Sequence, residues 1–414
     1  MMLLRFVYTI LIQLSWYGLH VIALFNPKIK LFVSGRKKTF AELEVKLPKG
    51  SKSIWMHVAS LGEFEQGLPI LEQLKANYPH HKIVVTFFSP SGYEVKKNTP
   101  IADAVAYLPM DTLSNTARFV DTINPELAIF IKYEIWPNYL HRLQQRNIPT
   151  LLVSARFSKR QIYFKPLGGF MRKSLKAISH FFVQDETSKH LLESIHFKNT
   201  TVSGDTRFDR VSEILKQDNQ LDFMSKFKGD AFCLVAGSTW PEGEEIIIQY
   251  INTTQHHIKF VIAPHQIKQG HIENIANSLT KKSICYSQLG EEDLSEYDVL
   301  IIDTIGLLTK IYSYATVAYV GGGFATGLHN TLEPAVFGIP VVIGPNFKGF
   351  KEAEDLVAQK GIIPVDNTKK FNDLMDGFIS DPASAQKIGN INSGYINKNL
   401  GATGVVVEYI TRLL

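Results

Sequence analysis

Two short stretches gather residue types that can do chemistry. In "HVASLGEFEQGLPIL", residues 57–71, an apolar run from Ile54 to Ala59 breaks at Ser60-Leu61-Gly62, and Glu63 and Glu65 stand where a helical pattern begins. A first-turn carboxylate suits the electropositive start of a helix, and Ser60 three positions before Glu63 makes a capping box. The same carboxylate can also take a proton from a substrate. Local pattern leaves both readings of Glu63 open. In "GGGFATGLHNTLEPA", residues 321–335, three glycines end an apolar run and let backbone N–H groups approach a ligand closely. His329 and Asn330 precede a helix opened by Thr331, with Glu333 and Pro334 in its first turn. Helix starts favour phosphate, but a carboxylate repels it, so Glu333 reads as an acceptor for sugar hydroxyls or a base. The plain alternative is a tight turn with an ordinary acidic first turn.

Isolated cations recur at the ends of other apolar runs: Lys132 in "IKYEIWPN", Arg156 in "SARFS", Arg207 in "GDTRFD" and His265 in "APHQ". Any one of them is an ordinary surface charge, whereas four at such junctions fit the neutralisation of a phosphate leaving group. Trp136-Pro137 reads as packing. The chain has no GxGxxG after a strand, no GxxxxGK[ST], no HExxH and no D-x-D pair. Neither a metal nor a cofactor is expected. Cys233 and Cys285 lie far apart, with no CxxC, so neither a disulfide framework nor a zinc site is expected.

These residues need a scaffold, and the chain repeats one theme that supplies it. A short apolar run, a turn rich in Gly, Ser or Pro and a helical pattern follow one another. The runs are in "SIWMHVASLGEF", "KIVVTFFSPSGYE", "LAIFIKYEIWPN", "PTLLVSARFS" and "HFFVQDETSKHLL", then in "FCLVAGSTWPEGEE", "KFVIAPHQ", "VLIIDTIGLL", "VAYVGGGFATGLHNTLEPA" and "PVVIGPNFKGFKEAEDL". Continuous rather than alternating apolar runs mean strands covered on both faces, as in parallel α/β sheets. A polar stretch between the halves, "GDTRFDRVSEILKQDNQLDFMSKFKGD", marks an inter-domain connection near residues 210–230. The pattern predicts two Rossmann-like domains at residues 42–215 and 216–414, facing across a cleft. Ligands of such sheets sit at the carboxyl ends of strands, where nearly all of these polar clusters fall.

The net charge of +5 is local in origin: residues 1–41 hold Arg5, Lys28, Lys30, Arg36, Lys37 and Lys38 and no acid. That argues against a nucleic-acid partner and for contact with an anionic surface. "FVYTILIQLSWYGLHVIALF", residues 6–25, carries no charged side chain, and twenty helical residues span about 30 Å, the thickness of a bilayer core. The following cations would keep the body of the protein cytoplasmic. Thr9, Gln13, Tyr17 and His20 fall roughly on one stripe, so the helix of residues 1–41 is expected to attach to a membrane by spanning it or by lying in its interface. A buried helix is the alternative.

Taken together, the stretches resemble the 3-deoxy-D-manno-oct-2-ulosonic acid (Kdo) transferases of lipopolysaccharide assembly. "GRK", "ASLGEFEQGLPIL", "TFFSPSGYE", "EIWPN", "SARFS", "FDR", "AGSTWPEGEE", "DTIG" and "GLHNTLEPA…GIPVVIGP" carry the resemblance in order and spacing across nearly the whole chain. It implies a GT-B fold and attachment at the cytoplasmic face of the inner membrane. It also implies metal-free, inverting transfer of Kdo from CMP-Kdo to a lipid A precursor, lipid IVA. By the same resemblance Glu63 is the general base, and Lys132 and Arg207 support the transition state. The CMP site carries over to Pro264, His265, Ile305, Gly306, Leu307, Asn330, Thr331, Leu332 and Glu333. The chain departs from many relatives at three points: His265 stands where they have an arginine, Trp240 where they have a histidine, and Lys132 where they have an acid. A nucleotide-sugar epimerase of the same architecture and a two-lobed binding protein are the competing readings. The apolar anchor speaks against the first. The second would require Glu63→Gln to keep its whole function.

Overall fold

Because the apolar runs are continuous, each becomes a strand with a covered residue on either side of the sheet. In the computed structural model, which describes residues 2–325 and 327–414, the first unit carries β1 (Ser53–Val58), β2 (Lys82–Phe87), β3 (Ala104–Tyr107), β4 (Pro125–Ile131), β5 (Thr150–Ala155), β6 (His180–Val183) and β7 (Thr200–Val202). They form one sheet in the order β3-β2-β1-β4-β5-β6-β7, every pair parallel. Successive residues alternate between faces: Ile54, Met56 and Val58 join one core and Trp55 the other.

The second unit repeats the plan with β8 (Phe232–Thr239), β9 (Ile258–Pro264), β10 (Ser283–Cys285), β11 (Val299–Ile301), β12 (Val317–Val320), β13 (Val341–Ile343) and β14 (Ile362–Pro364). Its order is β10-β11-β9-β8-β12-β13-β14, again parallel. The ten runs read from the sequence are the interior strands. The four that were not read, β3, β7, β10 and β14, are the sheet edges, only three or four residues long.

The first unit runs to Arg210 and takes back Leu400–Leu414, and the second is Val211–Asn399. The predicted division at 215/216 therefore comes a few residues late, and its C-terminal end requires correction. The helix Ala402–Thr411 buries Val406, Val407 and Ile410 in the core of the first sheet. Asp209 holds its start by accepting the N–H groups of Gly401 and Thr403 at 2.7 and 2.6 Å.

The N-terminal segment also differs from expectation. Among the described residues no helix is long and apolar enough to cross a membrane. The helix Met2–Ile22 ends at a turn, and a second helix, Pro27–Lys46, begins behind the Asn26 cap. This second helix is part of the first unit, burying Phe32, Val33, Arg36, Thr39 and Leu43. Arg36 is thus no surface cation. Its guanidinium lies 3.5 Å above the Phe32 ring and donates to the Phe88 carbonyl at 2.8 Å, and burial pulls its pKa down to about 9. The first helix is tethered by polar side chains: Tyr8 donates to Asp111 at 2.8 Å and Arg5 to Asn138 at 2.8 Å. Leu4, Val7, Leu11, Leu14 and Val21 are left exposed on its other side.

Candidate active site

In the first sheet the strand order reverses between β1 and β4, and a parallel α/β sheet opens a crevice at such a switch point. Glu63 follows β1 and Lys132 follows β4. The helix Leu61–Asn77 that carries Glu63 packs tightly on β1, because a side chain at Gly67 would collide with Met56. Ser60 is the N-cap residue, yet its hydroxyl makes no capping bond to the backbone and donates to the Glu63 carboxylate instead. The capping box is therefore absent, and its two side chains face each other. Lys132 Nζ stands 3.3 Å from the other oxygen of Glu63. Its backbone is left-handed, φ +61°, an uncommon state for a residue with a side chain.

The carboxyl of Glu63 is pulled two ways. Partial burial pushes its pKa up, while the Ser60 hydroxyl, the Lys132 charge and its own backbone N–H pull it down and prevail. It titrates below the ordinary glutamate range and is a carboxylate at neutral pH.

Residues that the sequence reading missed hold this pair in place. His57, fully buried on β1, sets Nε2 3.0 Å from Glu134 and Nδ1 2.9 Å from the Thr86 hydroxyl. Trp136 donates to the same Glu134 oxygen at 2.9 Å, so the loop after β4 is tied to β1 and β2. Trp136 is therefore more than packing. One helical turn after Glu63, buried Gln66 donates to Asp205 at 2.8 Å, and Asp205 grips Arg207 through Nε at 2.9 Å and a terminal nitrogen at 2.8 Å. Burial would raise the Asp205 pKa, but Arg207 brings it below the carboxylate range. Arg207 thus reaches the Glu63 helix through Asp205 and Gln66. Arg156 lies 3.5 Å from Asp185. Glu65 has a different task, holding Lys96 and Arg210 at 2.8 Å each.

The second sheet reverses between β8 and β12. There Trp240, just after β8, donates from its indole to His329 Nε2 at 2.9 Å and stacks on His265, ring centroids 5.0 Å apart. The two imidazoles are 4.3 Å apart, and burial together with the His265 charge draws the His329 pKa down to about 4. His329 is therefore neutral at pH 7. Asn330 Nδ2 and the Thr309 hydroxyl hold the two oxygens of Glu333 at 3.0 and 3.2 Å.

Three details differ from the sequence reading. Side chains at Gly321 and Gly323 would collide with Ser238 and Gly344, so these glycines admit neighbouring strand ends rather than a ligand. Of Gly321, Gly322 and Gly323, only Gly322 has a left-handed backbone, φ +89°. Thr331 gives no capping bond, because Asn330 Oδ1 accepts the Leu332 N–H at 3.1 Å. Pro264, Thr331 and Leu332 have buried side chains and can offer a ligand backbone alone. Ile305, 90 % exposed, and Gly306, φ +98°, form an open loop leading to Leu307.

Two parallel Rossmann-like units with polar loops at both switch points define a GT-B-like α/β protein. UDP-GlcNAc 2-epimerase from Neisseria meningitidis has a TM-score of 0.62 to this chain at 17% identity, covering 87% of this chain and 100% of that one. MurG from Acinetobacter baumannii has a TM-score of 0.54 at 11% identity, covering 88% and 100%. At these identities the likeness is one of fold. The sequence comparisons go further. Residues 34–210 match the 3-deoxy-D-manno-octulosonic-acid transferase (kdotransferase) family. The 3-deoxy-D-manno-octulosonic acid transferase of Haemophilus influenzae is 27% identical over 419 residues, covering 96% of each chain. Residues 34–210 thus carry the domain of this family, and the chain is similar over most of its length to Kdo transferases, so it is a glycosyltransferase.

Proposed function

We propose that the protein transfers Kdo from CMP-Kdo to a hydroxyl of a lipid A precursor, lipid IVA or a close relative, with inversion at the anomeric carbon. The acceptor oxygen attacks that carbon, the bond to the CMP phosphate breaks with its electron pair, and the hydroxyl proton passes to Glu63. The observation that carries this reading is the Glu63 carboxylate at the β1/β4 switch point, ionised and backed by Lys132. An ionised, partly desolvated carboxylate has the form that a general base requires. Lys132 and Arg207 supply positive charge for the departing phosphate. On the second unit, His265, the Ile305–Leu307 loop and the Asn330–Glu333 turn receive the nucleotide, with Glu333 already oriented to accept hydroxyl hydrogens.

The same reading places the protein on the cytoplasmic face of the inner membrane. Support comes from the exposed apolar side of the Met2–Ile22 helix and from Lys28, Lys30, Lys37 and Lys38, all exposed beside it. A helix that is tethered on one side and apolar on the other suits the interface rather than a span. The test is incubation with CMP-Kdo and lipid IVA, followed by mass spectrometry of the lipid. A mass gain of one or more Kdo units is the expected result, and an unmodified lipid with intact CMP-Kdo would refute the assignment. Transfer is expected to continue in EDTA.

A further inference from the structure

Two glycines lie in the helix Leu61–Asn77, and the fold explains one of them. A side chain at Gly67 would collide with Met56 on β1. Gly62, one residue before Glu63, is exposed and its backbone is not left-handed, so its conformation does not call for glycine. Beyond its chain neighbours, a β-carbon there would meet only the Ser60 hydroxyl, at 3.9 Å. That is ordinary contact, with room for a side chain. Glycine in a helix also costs backbone entropy that alanine does not. The first turn thus keeps a residue that neither packing nor backbone geometry requires.

Open helical glycines occur elsewhere in the chain: a β-carbon at Gly377 or Gly394 would meet no atom within 4 Å. What sets Gly62 apart is its neighbourhood. The Glu63 side chain is 17 % exposed, with the Ser60 hydroxyl on one oxygen and Lys132 Nζ on the other. The space over Gly62 opens onto that same Ser60 hydroxyl. A hydroxyl carried on a sugar ring brings the bulk of the ring with it, so a base that serves it needs clearance at its side as well as a negative charge.

We propose that Gly62 is a specificity-determining residue for the acceptor: its bare backbone is the surface over which the acceptor sugar brings its hydroxyl to Glu63. The inference rests on the reading of Glu63 as the base and adds the direction of approach. A side chain at position 62 would stand in that path, while the nucleotide-binding residues of the second unit are untouched by the change.

The test compares Gly62→Ala and Gly62→Leu with the wild type in the full chain, using CMP-Kdo and lipid IVA. At saturating CMP-Kdo, kcat/KM for lipid IVA should fall roughly tenfold in Gly62→Ala, because small misplacements at a reacting centre are costly, and further in Gly62→Leu. KM for CMP-Kdo and the calorimetric affinity for CMP should match the wild type. Alanine and leucine are better helix formers than glycine, so the melting temperature should hold or rise. Gly377→Ala, at an open helical glycine of the second unit, should show the same thermal behaviour with normal transfer. Wild-type kcat/KM for lipid IVA in both Gly62 variants overturns the proposal. So does a loss of transfer that comes with a lower melting temperature, which would assign Gly62 to packing. Glu63→Gln, measured alongside, keeps the two inferences apart. Loss there with normal transfer in Gly62→Leu refutes the path and leaves the base, whereas normal transfer in Glu63→Gln refutes the base itself.

Discussion

At the ends of β1 and β4 the first unit sets a carboxylate against an amine. At the corresponding ends of β8 and β12 the second sets an indole against two imidazoles. Both places are switch points of parallel sheets, so topology supplies each unit with the same opening. What fills it differs in kind. The first holds a carboxylate whose titration is shifted by its neighbours, as proton transfer demands. The second holds a neutral histidine, stacked rings and a carboxylate already bonded on both oxygens, which suits recognition. On the proposed function one fold used twice divides labour through a handful of side chains, and that division can be tested from either side.

The largest effect is expected from Glu63→Gln, which keeps the shape of the site but removes its base. Transfer should fall about 10²–10⁴-fold, while calorimetry should find CMP binding unchanged. Turnover like that of the wild type would erase the distinction between the two ends and return Glu63 to a structural role. Next come Glu333→Ala and Asn330→Ala, which should raise KM for CMP-Kdo by about ten- to a hundredfold and leave kcat much less altered. A loss confined to kcat would mean that the second end does chemistry as well.

A finer test uses Lys132→Gln. Lys132 is one of the causes holding the Glu63 pKa down, so its removal should raise that pKa. Activity requires the ionised form, and the acid limb of kcat/KM against pH should therefore move to higher pH. An acid limb that stays in place would uncouple the ion pair from the reaction.

The smallest effect lies away from both switch points. Burial raises the Asp111 pKa to about 6, so the native state binds this proton more tightly than the unfolded chain. The contribution of Asp111 to stability should accordingly decline as pH rises through about 6. The Tyr8 hydroxyl favours the ionised form by donating to it. Tyr8→Phe should cost about 1 kcal/mol, more at pH 7.5 than at pH 5, as read from urea unfolding midpoints. An equal cost at both values would mean that Asp111 does not titrate in this range.

Much of the fold was legible because its signal is local. Strands in the middle of a parallel sheet are covered on both faces and must be apolar throughout, so all ten interior strands announced themselves. Edge strands such as β7 and β14 are only partly covered and need not carry that signature. The tail was misassigned for another reason: apolar Val405–Val407 declare that a helix must be buried, but not against which sheet. The sequence left the N-terminal segment between a span and an interfacial helix, because the partners of Arg5 and Tyr8 lie over a hundred positions away in the chain.

Residue types and their order were enough to specify two parallel sheets, a carboxylate at a helix start and a glycine turn before Asn330 and Glu333. They were enough, too, for the resemblance to a family, because motifs are preserved as words. Tertiary structure alone decided that Lys132 meets Glu63 across 69 positions and that Trp240 meets His329 across 89. It also turned Ser60 from backbone to carboxylate, enlisted His57 and Glu134 behind Lys132, and withdrew Leu332 into the core. The reason is physical: propensity and hydropathy act over a few residues, whereas hydrogen bonds and ion pairs depend on distances set when strands from remote parts of the chain become neighbours.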